Sequence, residues 1–280
     1  STDNERLLPD FSSVDQMNHA ILQVPLPEDT LWLECTNPQL PFGYVHSGIA
    51  GHDALLITKE GGIMCRLPSY PDSLNTQTTN ASVTLTPTGG AKIKASGISR
   101  LFKYESMAGI TRLEPSHRKD YLRSGINLIQ ANINNIQINE AKEVIPMIDI
   151  QYTIETEQYG NKTGNRLFIP ANIFRKGFTT PDLKQRVQDI HINYGYLDTD
   201  SICLQIPEGY TIESLPKTCQ VTSSFGSFSS SLMIKDKEIC IIHRLLMHRG
   251  IYPKEIYKDF LEFRKQIAAQ YSSKIILKKE

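Results

Sequence analysis

The sequence predicts a mainly β protein: an antiparallel sheet, then an antiparallel β-sandwich closed by a C-terminal helix. Three observations carry this. Short apolar runs that alternate with period two recur along almost the whole chain. Clusters of Gly, Pro, Asn, Asp and Ser separate them at the spacing of a sandwich or barrel rather than of alternating β-α units. Sustained helical periodicity is confined to the end, after Pro253.

Residues 1–17 read as a polar start broken at Pro9. Residues 18–67 read as strands at 19–26, 30–35, 54–58 and 62–67, with Pro27-Glu28-Asp29 and Glu60-Gly61-Gly62 as turns. The stretch 68–80, rich in Pro, Ser, Thr and Asn, reads as a linker, which places a first unit at 1–72 and a second at 73–280. Residues 82–86 and 91–95 alternate about Pro87-Thr88-Gly89-Gly90, a hairpin signal. Pro115 opens a short helix over 115–124. Strands follow at 132–138, 147–157, 166–169, 189–194, 201–206, 219–223, 229–235 and 238–247, with Asp236-Lys237 as a two-residue turn. The closing helix spans 253–271. Ile256, Phe260, Phe263, Ile267 and Tyr271 form its apolar stripe, expected to cover a sheet face or edge. Ile275-Ile276-Leu277 adds a last strand.

Thirty basic and thirty acidic residues cancel, so the chain lacks the electrostatic footprint of a nucleic-acid binder. No apolar run approaches the roughly 18 residues of a membrane-spanning helix, and residues 1–18 lack the apolar centre of a signal peptide. The five cysteines are odd in number and far apart. They form neither a disulfide framework nor a metal spacing, and are expected as small buried hydrophobes.

The chemistry gathers near the N-terminus. His19, Ile21 and Gln23 share one face of the first strand, and Glu34 lies near the end of its hairpin partner. An imidazole and a carboxylate so placed meet across the ladder, and a carboxylate there fixes the tautomer and orientation of a general base. Trp32, two residues before Glu34, is the expected pocket wall.

The stretch Trp32-Leu33-Glu34-Cys35-Thr36 after His19 resembles the second half of a transglutaminase-like cysteine peptidase core. There a Cys opens a helix, a His follows on a strand and an acid on the next strand. The likeness continues through Pro41-Phe42-Gly43-Tyr44, residues 54–58 and Gly61-Gly62. Residues 150–280 resemble the all-β domain of unknown function that follows this core in bacterial periplasmic or cell-surface proteins. The matching pieces are 164–170, 206–210, 213–216, 225–227 and the closing helix.

The resemblance implies His19 as base, Glu34 as acid where Asp is usual, and a Cys nucleophile. Eighteen residues precede His19 and none is Cys. The chain is therefore expected to be the C-terminal part of such a peptidase or acyltransferase, a truncated transglutaminase-like sheet plus sandwich, inactive alone. A missing N-terminal segment would supply the thiol. The expected substrate is a protein or peptide, with no cofactor, no metal and no nucleic acid; a second copy of the chain is one way to cover the truncated sheet. Cys35 faces away from Glu34 on the same strand, and Ser12 and Ser13 are weak substitutes.

The alternative is a non-catalytic β-sandwich module that binds a surface polysaccharide or protein. A thiol-reactive probe separates the two. His46, His52 and Asp53, in a Gly-rich loop, are the nearest thing to a metal set. His243 and His248 are expected to contact solvent or backbone. Residues 223–231 read as a turn between strands.

Overall fold

The computed structural model describes residues 6–11, 13–178, 180–183 and 186–280. The chain opens with β1 (Leu22–Pro25), β2 (Thr30–Leu33), β3 (Asp53–Thr58) and β4 (Gly61–Arg66). Next come β5 (Thr76–Leu85), β6 (Ala91–Arg100), α1 (Phe102–Ala108), α2 (Pro115–Ser124), β7 (Asn132–Ala141) and β8 (Met147–Thr156). They are followed by β9 (Asn161–Thr163), β10 (Arg166–Pro170), β11 (Ile190–Ile192), β12 (Tyr196–Gln205), β13 (Tyr210–Ser214) and β14 (Cys219–Ser223). The chain ends with β15 (Gly226–Lys235), β16 (Glu238–Met247), β17 (Gly250–Tyr252), α3 (Tyr257–Tyr271) and β18 (Lys274–Lys279).

An eight-stranded sheet in the order β14-β15-β16-β12-β5-β6-β8-β7 is the frame. It consists of two antiparallel four-strand blocks. They meet at β5 and β12, which pair in parallel. The sequence reading expected antiparallel pairing throughout. Hairpins enforce that for β5–β6, β7–β8, β14–β15 and β15–β16, but β5 and β12 are far apart in the chain, so no short turn dictates their sense. A smaller sheet, β13-β18-β10-β9, packs face to face on the β5-β6-β8-β7 block. Leu167, Ile169, Ile275 and Leu277 from the small sheet and Ile93, Ile133, Ile148 and Ile154 from the large one share one core. Tyr104, Ile110 and Leu122 from α1 and α2 and the turns beside them complete it.

The closing helix covers the other block. A single 3-10 turn at Lys254–Ile256 precedes α3, so the regular helix starts later than Pro253 suggests. Leu261, Phe263 and Ile267 pack on Phe225, Phe228 and Leu245. Gly226 makes the tight β14–β15 turn possible: its φ is +146°, and any Cβ there would overlap the Leu246 carbonyl oxygen.

Two corrections concern the N-terminal part. Residues 18–67 do not form one sheet: β1–β2 and β3–β4 are separate two-stranded ladders. They are joined through a third cluster of Trp32, Tyr44, Val45, Ile49 and Leu67, which also takes in Leu101 and Phe102. Nor is 68–80 a solvent linker, since β5 begins at Thr76. Asn75 is buried; its amide donates to Gly195 O (2.7 Å) and its Oδ1 accepts the Lys103 N–H at the start of α1 (3.1 Å). A polar stretch anchored by a buried asparagine looks like a linker only in composition.

Cys203 and Cys240 form a disulfide, contrary to the expectation of isolated buried thiols. They lie 37 residues apart, but the β12–β16 register sets them directly opposite each other. Pairing of that kind is invisible to sequence spacing. His243 is buried against Phe228 and Tyr271 rather than solvated, and burial pushes its pKa down to about 4.

Candidate active site

Thr36 begins the site by fixing Glu34. Its backbone N–H (2.7 Å) and its hydroxyl (2.5 Å) both donate to Glu34 Oε1, an arrangement local to the end of β2. The other oxygen, Oε2, faces two imidazoles. His19 Nε2 is 2.6 Å away and His46 Nε2 is 3.2 Å away. The Glu34 side chain is 1% exposed. Burial alone would push its pKa up, but the two Thr36 donors and His19 outweigh it and hold the pKa at about 2.

An ionised carboxylate only accepts hydrogen bonds. His19 Nε2, hydrogen-bonded to it, therefore carries a proton. His46 Nδ1 accepts the Gly48 N–H at 3.1 Å, so it is the unprotonated nitrogen. His46 Nε2 lies close to Glu34 without a hydrogen bond to it. His19 differs: its Nε2–H is held by Glu34, and its Nδ1 has no hydrogen-bond partner among the described residues. Of the two rings, His19 alone keeps a basic nitrogen for another group.

His19, Glu34 and His46 bring three ligand-type atoms within 4.8 Å of one another. The Gly48 bond disfavours a metal there, because a ligating Nε2 normally needs Nδ1–H as a donor, and here Nδ1 accepts. The loop set does not assemble either. Asp53 is taken by Arg6, Arg66 and the Leu7 N–H, while His46 points to Glu34 instead.

Sequence reasoning missed Thr36, and it placed His46 with His52 and Asp53 rather than beside Glu34. Thr36 had a local signal, a hydroxyl two residues after the acid. His46 had none, because tertiary contacts hold its loop. Glu105 of α1 accepts Tyr44 Oη–H (2.5 Å), Ser47 N–H (2.7 Å) and Ser47 Oγ–H (2.5 Å). Gly48 makes room for the ring, since a Cβ there would come within 2.9 Å of His46 Cε1.

Two hollows border His19. One is a polar cleft of about 460 Å³ against α1 and β7, lined by His46, Glu105, Arg112 and Glu140 among others. The second, also about 460 Å³, is largely apolar and runs between the two N-terminal hairpins, with Trp32, Leu55, Ile57 and Leu67 in its walls. Trp32 is buried and does line a hollow beside His19, the apolar one.

Cys65 also borders the apolar hollow, but burial pushes its thiol up, away from the reactive thiolate, and it makes no hydrogen bond to His19. Cys35 is exposed, with its thiol directed at the Leu33 carbonyl (3.6 Å). Ser13 Oγ caps a short turn by accepting the Asp15 N–H; Ser12 lies outside the described residues.

Residues 165–277 match a family described as a domain of unknown function with a solved structure (DUF3858). No curated protein matches the chain. Among solved structures, the chain is similar at 5% identity and a TM-score of 0.33 to "a putative protease" from Parabacteroides distasonis ATCC 8503, over 72% of this chain and 99% of that one. A likeness of that degree bears on neither the chemistry nor the details of the fold. No helix among the described residues is long and apolar enough to cross a membrane.

Proposed function

We propose that His19 and Glu34 are the base and orienting acid of a transglutaminase-like cysteine peptidase or acyltransferase site. The nucleophilic thiol comes from a segment outside these 280 residues. The observation that carries this is the hydrogen bond between His19 Nε2 and the buried Glu34 carboxylate, which leaves His19 Nδ1 unengaged. Trp32 walls the apolar hollow, and a segment seated there would bring a cysteine to His19. Ile57 and Leu22, 76% and 51% exposed, leave apolar surface on that side.

In this reading, the thiol passes its proton to His19 Nδ1, and the imidazolium is stabilised by Glu34. The thiolate adds to an amide carbonyl, and the C–N bond breaks as His19 returns the proton to the leaving amine. The acyl group then passes to water or to a second amine, with His19 accepting the incoming proton. Thr36 is a positioning residue: its two donors keep Glu34 anionic and immobile. The Cys203–Cys240 disulfide supports an oxidising compartment such as the periplasm or cell surface.

The test is a fluorescent iodoacetamide at pH 6 on the chain joined to whatever its gene encodes before Ser1. One hyper-reactive cysteine, silenced by His19→Ala, is the expected result. Uniformly inert thiols would overturn the catalytic reading in favour of a β-sandwich interaction module.

A further inference from the structure

A third cavity, of about 260 Å³, shares no lining residue with either hollow beside His19. Its origin is the register of the large sheet. Asp200, Thr79, Gly97 and Ile150 lie opposite one another across β12, β5, β6 and β8, and Asp198, Gln77 and Ser99 form the next row on that face. Gly97 and Ser99 are small, and so are Ser124 and Gly125 at the end of α2, so the space above these rows stays open. At Gly97 a Cβ would find its nearest neighbour at 3.7 Å; the glycine leaves room rather than meeting a backbone need.

The polar floor is closed in charge. Lys103 Nζ lies 2.8 Å from Asp198, and Lys176 Nζ lies 3.1 Å from Asp200 and 3.6 Å from Asp198. Tyr271 Oη–H (2.5 Å) and the Thr79 hydroxyl donate to Asp200 as well. Two cations and two anions satisfy each other. Two groups lining the cavity stand outside this network. Arg175 stands exposed at the rim; its backbone N–H donates to Gly125 O (2.8 Å), and its guanidinium has no partner among the described residues. The Tyr152 hydroxyl has none either, and burial pushes its pKa up to about 12, so it is a neutral donor. Leu122, Ile150 and Phe174 supply apolar wall.

One uncompensated cation and a spare hydroxyl above an apolar wall define an amphipathic anion. We propose that this cavity binds a small monoanionic organic acid, its carboxylate taken by Arg175 and its hydrocarbon lying on Leu122, Ile150 and Phe174. The Tyr152 hydroxyl is the second donor to the same carboxylate.

The probe is 3-phenylpropionate, titrated into the intact chain by calorimetry and ligand-observed NMR at pH 7. 3-Phenylpropan-1-ol is the uncharged control with the same hydrocarbon. Saturable binding of the acid, about tenfold tighter than the alcohol, is expected from a charge-assisted pair. Arg175→Gln, which loses no internal contact, removes that preference and leaves the alcohol unchanged. Gly97→Leu fills the space and abolishes binding of both, with an unchanged melting temperature as the check on folding. Three results would each overturn the proposal: no binding of the acid, equal affinity for acid and alcohol, or acid binding unaffected by Arg175→Gln. If Gly97→Leu does not fold, the Arg175→Gln comparison decides alone.

Discussion

Glu34→Gln keeps the shape of the side chain and removes its charge. At neutral pH the carboxylate accepts from Thr36 N–H, Thr36 Oγ–H and His19 Nε2–H, with His46 Nε2 a further 3.2 Å neighbour. An amide replaces one of the two oxygens by an NH₂ that only donates. Turned one way, it confronts the two Thr36 donors; turned the other, the His19 donor. The size of the loss follows from linkage. The folded pKa is about 2 against 4.5 for the free side chain, which at 1.36 kcal/mol per unit is about 3 kcal/mol. The sign follows from the depressed pKa. The stabilisation is fully present above 4.5 and is lost as pH falls through about 2. Urea unfolding of wild type and variant, followed by circular dichroism, should show a gap of about 3 kcal/mol at pH 7. The gap should shrink below pH 4.5 and nearly close at pH 2. Equal midpoints at pH 7, or a gap that persists undiminished at pH 2, would refute the three-donor carboxylate.

Other outcomes follow from single contacts. Gly48→Ala pushes a Cβ against the His46 ring; the His46 side-chain ¹⁵N shifts should leave the fixed Nε2–H pattern, with a stability loss of about 1 kcal/mol. Lys176→Met leaves an excess negative charge in the buried Asp198–Asp200 cluster and should cost about 3–5 kcal/mol. Adding Asp200→Asn should recover part of that, and a loss under 1 kcal/mol for Lys176→Met would contradict the pairing. Alkylation of the denatured chain should label the three free cysteines before reduction and all five after it. Five labels before reduction would rule out the Cys203–Cys240 bond.

The sequence by itself determined the class of fold, most strand positions and the short helix at 115–124, because those rest on local periodicity and turn chemistry. It located the closing helix but moved its apolar stripe: the residues buried deepest are Tyr257, Leu261, Phe263 and Ile267, since the stripe that matters is the one facing Phe225 and Phe228. It also singled out His19 and Glu34, whose side chains the β1–β2 hairpin brings to 2.6 Å. Only the tertiary structure added His46, because its loop is held by Glu105 from a helix 58 residues beyond Ser47. Only it could pair Cys203 with Cys240, join β5 to β12 in parallel, and turn the polar stretch around Asn75 into buried scaffold. In each case the partner is far away in the chain, and a pattern that repeats every two or three to four residues carries no information about which distant strand or loop will lie beside it.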